Sequence, residues 1–263
     1  MKKYIVIGNP IEHSLSPKLH NYWIKKNNID AIYEKKKVNE NDIEETILNL
    51  REGKIDGINV TLPFKKTVIP YLDKLTDESN ESQSVNTIYI DNKKIIGHNT
   101  DIAGFELGFR HAKYDIKGKK VFILGAGGVV SSIILALKKM GADKIALSNR
   151  TKKKAEEIKK LFPHIEIIDW GKTSDFQIII NATSIGLKEK DEINLDYENI
   201  GSDKLFYDLI YNPNETDFLK KGKKLDNKTE NGKMMFIYQA HQAFTVWHKI
   251  MPSIDQKTID FID

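Results

Sequence analysis

The residues with most chemical potential in this chain lie around Lys65. In the stretch Ile58-Asn59-Val60-Thr61-Leu62-Pro63-Phe64-Lys65-Lys66, an apolar β-run breaks at a proline and two lysines follow. Asn59 and Thr61 are two residues apart, so an extended chain puts them on one side. A lysine aimed into a pocket beside them could serve as general acid or base. Its ammonium stabilises developing negative charge and carries a proton to give. The plainer reading is a solvated lysine. Only Arg51, Arg110 and Arg150 among the 41 basic residues are arginines, so lysine is background here and position has to carry the case.

Other short polar groups recur in similar settings. In Gly8-Asn-Pro-Ile-Glu-His-Ser14-Leu-Ser16-Pro17-Lys-Leu-His-Asn21, a turn follows the first apolar run and a helix begins near Pro17. Ser16 reads as its N-cap and Pro17 as a first-turn residue. That leaves His13, Ser14 and Asn21 unexplained, and Ser14 and Ser16 are well placed to hold a hydroxylated or carboxylated ligand. Val85-Asn86-Thr87 and Gly97-His98-Asn99-Thr100-Asp101 add further polar strand ends. Singly each is a turn or a cap, and Asp101 would cap a helix starting near Ile102. Together they suggest one crevice at the carboxyl edge of a sheet.

A different motif occupies residues 119–151. The apolar run Val121–Leu124 enters Gly125-Ala126-Gly127-Gly128, an apolar helix follows, and a second run ends at Ser148-Asn149-Arg150-Thr151. This is a β-α-β unit in the context a dinucleotide motif requires. Gly125 permits the tight turn, while Gly127 and Gly128 let backbone approach a pyrophosphate at the helix N-terminus. Val130 takes the third small position, which departs from the fingerprint. An NAD site usually places an acid after the second strand. Here Arg150 stands there, a guanidinium suited to a 2′-phosphate, with Lys154 one turn on. The expected cofactor is NADP.

The elements that must position these groups alternate along the chain. Short β-branched runs lie at 3–7, 31–37, 55–60, 85–90, 119–124, 143–148, 165–168, 177–181 and 205–209. Helical patterns lie near 16–27, 41–51, 102–113, 128–140, 151–161, 214–222 and 232–250. The segment 76–84 reads as a loop or short surface helix. The alternation predicts an α/β fold of mainly parallel sheets. We expect two domains: residues 1–101, joined by 236–263, and 102–235, with the active site in the cleft between them. The apolar residues of 232–250 are expected to pack on the first domain. The 263 residues suffice for a sizeable core. A net charge of +4 gives no dense basic stripe for nucleic acid, and no apolar run approaches the roughly 18 residues of a membrane span. The N-terminus reads as a strand rather than a signal peptide. Cysteine is absent, which excludes thiolate chemistry and is compatible with a cytoplasmic location. His241 and His248 are two helical turns apart with no completing ligands, so no metal is expected. His13, His20 and His98 are expected to make structural hydrogen bonds.

Taken in order, these motifs resemble the shikimate dehydrogenase family. The carrying residues are G-N-P-I-x-H-S-x-S-P-x-x-H-N at 8–21, N-V-T-x-P-x-K at 59–65, V-N-T at 85–87 and N-T-D-x-x-G at 99–104. G-A-G-G at 125–128, N-R-T at 149–151, N-A-T-S-x-G at 181–186, Y-D-x-x-Y-x-P-x-x-T at 207–216 and the run from Asn231 to Trp247 continue the match. The resemblance implies an N-terminal substrate domain and a C-terminal Rossmann-type NADP domain. It implies NADPH-dependent, reversible reduction of 3-dehydroshikimate to shikimate. Lys65 and Asp101 would be the catalytic pair. Ser14, Ser16, Asn59, Thr61, Asn86 and Gln239, with that pair, would bind substrate, and Tyr211 would lie near substrate and nicotinamide. The cofactor contacts would include Gly125, Ala126, Gly127, Gly128, Val129, Asn149, Arg150, Thr151, Lys154, Thr183, Leu209 and Gly232. A monomer or homodimer is expected, with no nucleic-acid or membrane partner. Ile185 and Leu187 depart from a family that often has methionine near the nicotinamide, and a second glycine after Asn231-Gly232 is missing. The alternatives are a dual quinate/shikimate dehydrogenase using NAD(P) and a non-enzymatic NADP-binding regulator on the same fold.

Overall fold

The computed structural model describes residues 1–173, 175–188 and 191–262. The chain divides into two compact units, Met1–Gly104 with Ile237–Asp263, and Phe105–Phe236. The strands of the first unit are β1 (Lys2–Gly8), β2 (Ala31–Lys37), β3 (Gly57–Val60), β4 (Lys74–Leu75), β5 (Thr87–Asp91) and β6 (Lys94–His98). Those of the second are β7 (Lys120–Leu124), β8 (Lys144–Ser148), β9 (Glu166–Ile167), β10 (Ile178–Asn181), β11 (Leu205–Asp208) and β12 (Lys228–Glu230). The helices in chain order are α1 (Ser16–Lys26), α2 (Ile43–Arg51), α3 (Asp77–Ser82), α4 (Thr100–His111) and α5 (Val130–Lys139). They continue with α6 (Lys152–Leu161), α7 (Asp217–Lys224), α8 (Lys233–His248) and α9 (Gln256–Asp260).

The first sheet has the order β2-β1-β3-β5-β6-β4. β1 runs parallel to β2 and β3, β4 runs parallel to β6, and β5 is antiparallel to both β3 and β6. The antiparallel hairpin β5–β6 was not anticipated. Its two-residue loop holds Asn92 and Lys93 at φ of 48° and 65°, the left-handed geometry that matches strand twist. Asn-Lys is a weaker signal for that turn than Asn-Gly, which is why the sequence hid it. β1 reads as continuous apolar residues because both its faces are covered. Ile5 and Ile7 point into a core with Ile43, Ile47, Ile58, Val60 and Ile88. Tyr4 points the other way, onto Trp247 of α8 at 4.9 Å between rings.

Helix α1 forms where Pro17 occupies its first turn, and it buries Leu19, His20, Trp23 and Ile24 on one stripe. Lys25 and Lys26 in its last turn suit the negative end of the helix dipole. Ser16 is the first helical residue and makes no side-chain cap, a correction to its expected role. Segment 76–84 is helical at α3, capped by Thr76, with Ser79 and Ser82 buried rather than on the surface.

The second sheet is wholly parallel, in the order β12-β11-β10-β7-β8-β9. Chain order runs outward in both directions from β7 and β10, which sets a topological switch point between them. Phe122, Leu124, Ile179 and Phe206 fill one face of it. β4, β12 and α9 were missed in the sequence because they are two to five residues long and mostly polar. Among the described residues no helix is long and apolar enough to cross a membrane.

In the first unit, α8 reaches the sheet through Trp247, whose indole N–H donates to the Ile88 carbonyl at 3.2 Å. Gly57 on β3 makes room for that indole. A Cβ there would meet Trp247 Nε1 at 2.4 Å and Tyr4 Cδ1 at 2.8 Å. Gly57→Ala is therefore expected to destabilise the protein by about 1–3 kcal/mol, the usual range for overpacking. Urea unfolding of variant and wild type checks this, and equal midpoints would refute it.

Candidate active site

The polar motifs of the first unit converge because of strand direction. β1 and β3 are parallel and end at Gly8 and Val60, so the loops carrying Ser14 and Lys65 leave from one sheet edge. β5 is antiparallel, so its beginning lies at that same edge, and Thr87 pairs with both Asn59 and His98. Asn86 therefore precedes a strand rather than ending one. β6 finishes at His98 and delivers Asn99, Thr100 and Asp101 to the same place.

At this edge Lys65 is buried, at 8% exposure, while its neighbour Lys66 is exposed. The Lys65 ammonium donates to Asp101 Oδ2 at 2.5 Å, and Asp101 is 5% exposed. Asp101 is not the helix cap. The Asn99 side-chain oxygen accepts from the backbone N–H groups of Asp101 and Ile102, which leaves the Asp101 carboxylate free for Lys65. Its other oxygen accepts from Asn86 Nδ2 at 2.9 Å. The orientation of Asn86 is fixed by a backbone donor, since the Thr100 N–H reaches Asn86 Oδ1 at 2.7 Å. Asn59 is held in the same network, donating from Nδ2 to the Asn86 carbonyl at 2.9 Å and to Thr87 Oγ1 at 3.0 Å. The Lys65 carbonyl accepts from Val85 N–H, which ties the lysine loop to the Asn86 segment.

The remaining first-unit residues border this cluster. Ser14 Oγ accepts the Ser16 N–H at 3.3 Å, so its own proton stays uncommitted in that bond. Thr61 packs its methyl group against Gly8, where a Cβ would stand 2.6 Å from it. Gln239 approaches Asn86 Nδ2 at 3.5 Å. His98 Nδ1 meets Thr76 Oγ1 at 3.1 Å, as a structural histidine would. His20 does not: neither ring nitrogen has a hydrogen-bond partner, and burial pushes its pKa down to about 3. Among the described residues no group of three or more His, Cys, Asp and Glu could hold a metal ion.

In the second unit, the expected cofactor residues follow the carboxyl ends of β7, β8, β10, β11 and β12. Gly125 has φ of 112°, and a Cβ on it would strike the Ala182 carbonyl at 2.7 Å, so only glycine fits. A Cβ on Gly127 would meet no protein atom within 4 Å, so packing does not explain that glycine. Ala126 and Val129 flank it half-buried, Gly128 is exposed, and α5 starts without a side-chain cap. Val130 is wholly buried in the core. Asn149 folds its amide onto the Thr151 carbonyl, which leaves Arg150 and Lys154 exposed at the end of β8. Across the switch point, Asn181 Oδ1 holds both the N–H and the hydroxyl of Thr183. Gly232 packs on the Leu209 backbone, where a Cβ would stand 2.1 Å from the carbonyl oxygen. Tyr211 stacks on Phe236 at 4.6 Å. The residues thus form two sets, one in each unit: substrate candidates in the first, and cofactor candidates with Tyr211 in the second.

Comparison with known proteins bears on both sets. The model of the shikimate dehydrogenase substrate binding domain matches residues 6–88, and that of shikimate / quinate 5-dehydrogenase matches 107–187. A shikimate dehydrogenase (NADP(+)) of Pelagibacter ubique (strain HTCC1062) is 62% identical over 262 residues, covering 100% of this chain and 99% of that protein. The chain belongs to the shikimate dehydrogenase family. Solved family members agree in fold. A shikimate dehydrogenase in complex with NADP+ has a TM-score of 0.92 at 33% identity, covering 100% of this chain and 94% of that one. The Thermus thermophilus shikimate 5-dehydrogenase, in complex with NADP(H) and shikimate, has a TM-score of 0.90 at 27% identity, covering 100% and 98%.

Sequence reasoning missed the residues that hold the family's polar groups in place, among them Tyr33, Thr87, Thr100, Asn181 and Asp208. Asp208 is the most consequential of these in the second unit. It is fully buried and accepts from Asn181 Nδ2 at 3.0 Å, Ile210 N–H at 2.9 Å and Thr216 Oγ1 at 2.6 Å. It so braces the loops that carry Thr183 and Tyr211. Burial pushes its carboxyl up to about 6, against the opposing pull of these donors. A folded pKa above the unfolded value means a contribution present at low pH and lost as pH rises through about 6. Relative to Asp208→Asn, wild-type stability should fall by on the order of 2–3 kcal/mol between about pH 4 and pH 7. Urea unfolding of both proteins across that range measures it, and a flat or rising difference would refute the ionisation.

Proposed function

We propose that this chain is an NADP-dependent shikimate dehydrogenase that reversibly reduces 3-dehydroshikimate to shikimate. The observation that carries the reading is the buried ammonium of Lys65 on the Asp101 carboxylate, in a chain whose other lysines are mostly surface background. Family membership names the reaction, and this pair has the chemistry it needs. The cofactor site fits as well. Gly127 leaves backbone open beside an uncapped helix start, Gly125 makes the tight turn before it, and Arg150 stands where a 2′-phosphate needs a guanidinium. Gly125 to Val129, Asn149 to Thr151, Lys154, Thr183, Leu209 and Gly232 would hold NADPH, which supplies the hydride when bound.

Lys65 does the proton chemistry. An ammonium has three protons, and one is given to Asp101, which leaves donors for the substrate oxygen. As hydride reaches the ring ketone carbon, charge develops on the oxygen, and Lys65 stabilises it and delivers the proton. The neutral amine is then reprotonated from solvent. In the oxidative direction the neutral amine takes the hydroxyl proton. Asp101 orients the ammonium and Asn86 orients Asp101. Ser14, with its proton uncommitted, and Ser16 would hold the substrate carboxylate. Asn59, Thr61, Asn86 and Gln239 would read the hydroxyls, and Tyr211 would border substrate and nicotinamide. We favour NADP over NAD because Arg150, rather than an acid, follows β8.

Initial rates of NADP+ reduction with shikimate test the reading, beside quinate and NAD+ controls. Lys65→Ala should lower kcat by roughly 10²-fold or more with a smaller change in KM, while the exposed Lys66→Ala stays near wild type. An undiminished kcat in Lys65→Ala would sink the assignment. Arg150→Ala should raise KM for NADP+ by about ten-fold and leave KM for NAD+ nearly unchanged. Equal effects on both cofactors would remove Arg150 from the 2′-phosphate site. A wild type that binds NADP+ but turns over neither shikimate nor quinate would move the chain to a regulatory role.

A further inference from the structure

Asn59 sits in the substrate set, yet its amide is almost fully committed inside the protein. Both Nδ2 protons are spent on the Asn86 carbonyl and Thr87 Oγ1. A backbone carbonyl only accepts, so Nδ2 must face it and Oδ1 must face the other way. There the Tyr33 hydroxyl donates to Oδ1 at 2.6 Å. One lone pair of Oδ1 is all that Asn59 has left for a ligand.

Tyr33 is itself held with unusual care. It lies on β2, the edge strand, and Asn21 of α1 closes on its main chain like a missing strand. Asn21 Nδ2 donates to the Tyr33 carbonyl at 2.8 Å, and the Tyr33 N–H donates to Asn21 Oδ1 at 2.9 Å. His20 lies flat on the phenol ring at 4.2 Å and 7°. Neither His20 nitrogen is bonded, so the imidazole serves here as a flat surface rather than as a polar group. Trp247 borders the same ring at 6.1 Å. Two residues of the His20-Asn21 motif that no ligand role explains thus fix one tyrosine, and the proton of its hydroxyl goes to Asn59.

We propose that Tyr33 is a positioning residue of the substrate site, which acts through Asn59 and fixes it as a hydrogen-bond acceptor for a substrate hydroxyl. The inference rests on the shikimate dehydrogenase reading and on Asn59 touching substrate. A carbon–amide torsion is soft, so an Asn59 without its third bond samples more orientations. The loss falls on substrate binding, because the bond is the same whether ketone or alcohol is present.

The test is a double-mutant cycle of Tyr33→Phe and Asn59→Ala, read as KM for shikimate, kcat and KM for NADP+. Phenylalanine keeps the ring on His20, and Asn21 bonds only main chain. Tyr33→Phe should raise KM for shikimate about 5- to 10-fold, the worth of one neutral hydrogen bond, with kcat and KM for NADP+ within about two-fold. In the Asn59→Ala background the same change should have a much smaller effect, limited to the loss of the hydrogen bond that the hydroxyl also makes with Ser16. An unchanged KM for shikimate overturns the proposal, as does full additivity of the two changes. A Tyr33→Phe chain that loses its near-ultraviolet circular dichroism would make the residue part of the fold only, and overturns it too. A wild type with no shikimate turnover removes the functional reading and this inference with it. An active wild type with an indifferent Tyr33→Phe removes the inference alone.

Discussion

The burial of one ion pair organises the substrate unit. An ammonium and a carboxylate taken out of water lose several kcal/mol of hydration each, and their attraction repays this only if the remaining donors and acceptors are also matched. Lys65 and Asp101 are both nearly buried, so the structure has to supply those matches. Asn86 serves the second carboxylate oxygen, the Thr100 backbone serves Asn86, Asn59 serves the Asn86 carbonyl, and Tyr33 serves Asn59. Each step turns one polar group by fixing the next. The sequence separation of these residues, from 33 to 101, explains why the sheet needs an antiparallel hairpin at its centre. Only reversal of β5 brings Asn86 to the edge where β3 and β6 end.

The second unit meets its electrostatic task by other means. Its sheet is wholly parallel, and the loops at its carboxyl edge offer backbone rather than buried charge. Gly125 adopts a conformation that other residues resist and presses on Ala182 across the switch point. Arg150 and Lys154 are exposed and keep their hydration, so they need no internal partner. The buried carboxylate here, Asp208, has donors from side chains and backbone but no cation among them, and burial outweighs those donors in its ionisation. A cation at that point would lock the carboxylate charged, whereas three neutral donors hold the loops with less bias.

Much of this was legible in the sequence, for physical reasons that differ by residue. The Gly-rich turn was readable because strand, turn and helix signals agree on one β-α-β unit. Lys65 was readable only through its company, since Lys66 beside it is chemically identical and exposed. Asp101 was ambiguous, because an acid in a helix's first turn caps as readily as it catalyses. The structure gives the capping bonds to Asn99 and leaves the Asp101 carboxylate to Lys65. Strand β6 and the hairpin were hidden because Asn92-Lys93 lacks the glycine that usually marks such a turn. Tyr33 was invisible: its spacing from Asn59 follows no periodicity, and contact arises only from the pairing of two parallel strands with β1 between them.

His20 shows the limit of residue type as a guide. A histidine inside a polar motif invites a role in acid–base chemistry or hydrogen bonding. Burial among Trp23, Tyr33 and Phe244 instead holds it neutral, with a pKa pushed down to about 3, and denies both nitrogens a partner. A group that cannot take a proton and has no bonded partner contributes shape alone. The neighbouring Asn21 makes the reverse use of polarity, spending its whole amide on one main-chain unit of β2. Both belong to the loop-and-helix segment that carries Ser14 and Ser16, and together they fix that segment against β2.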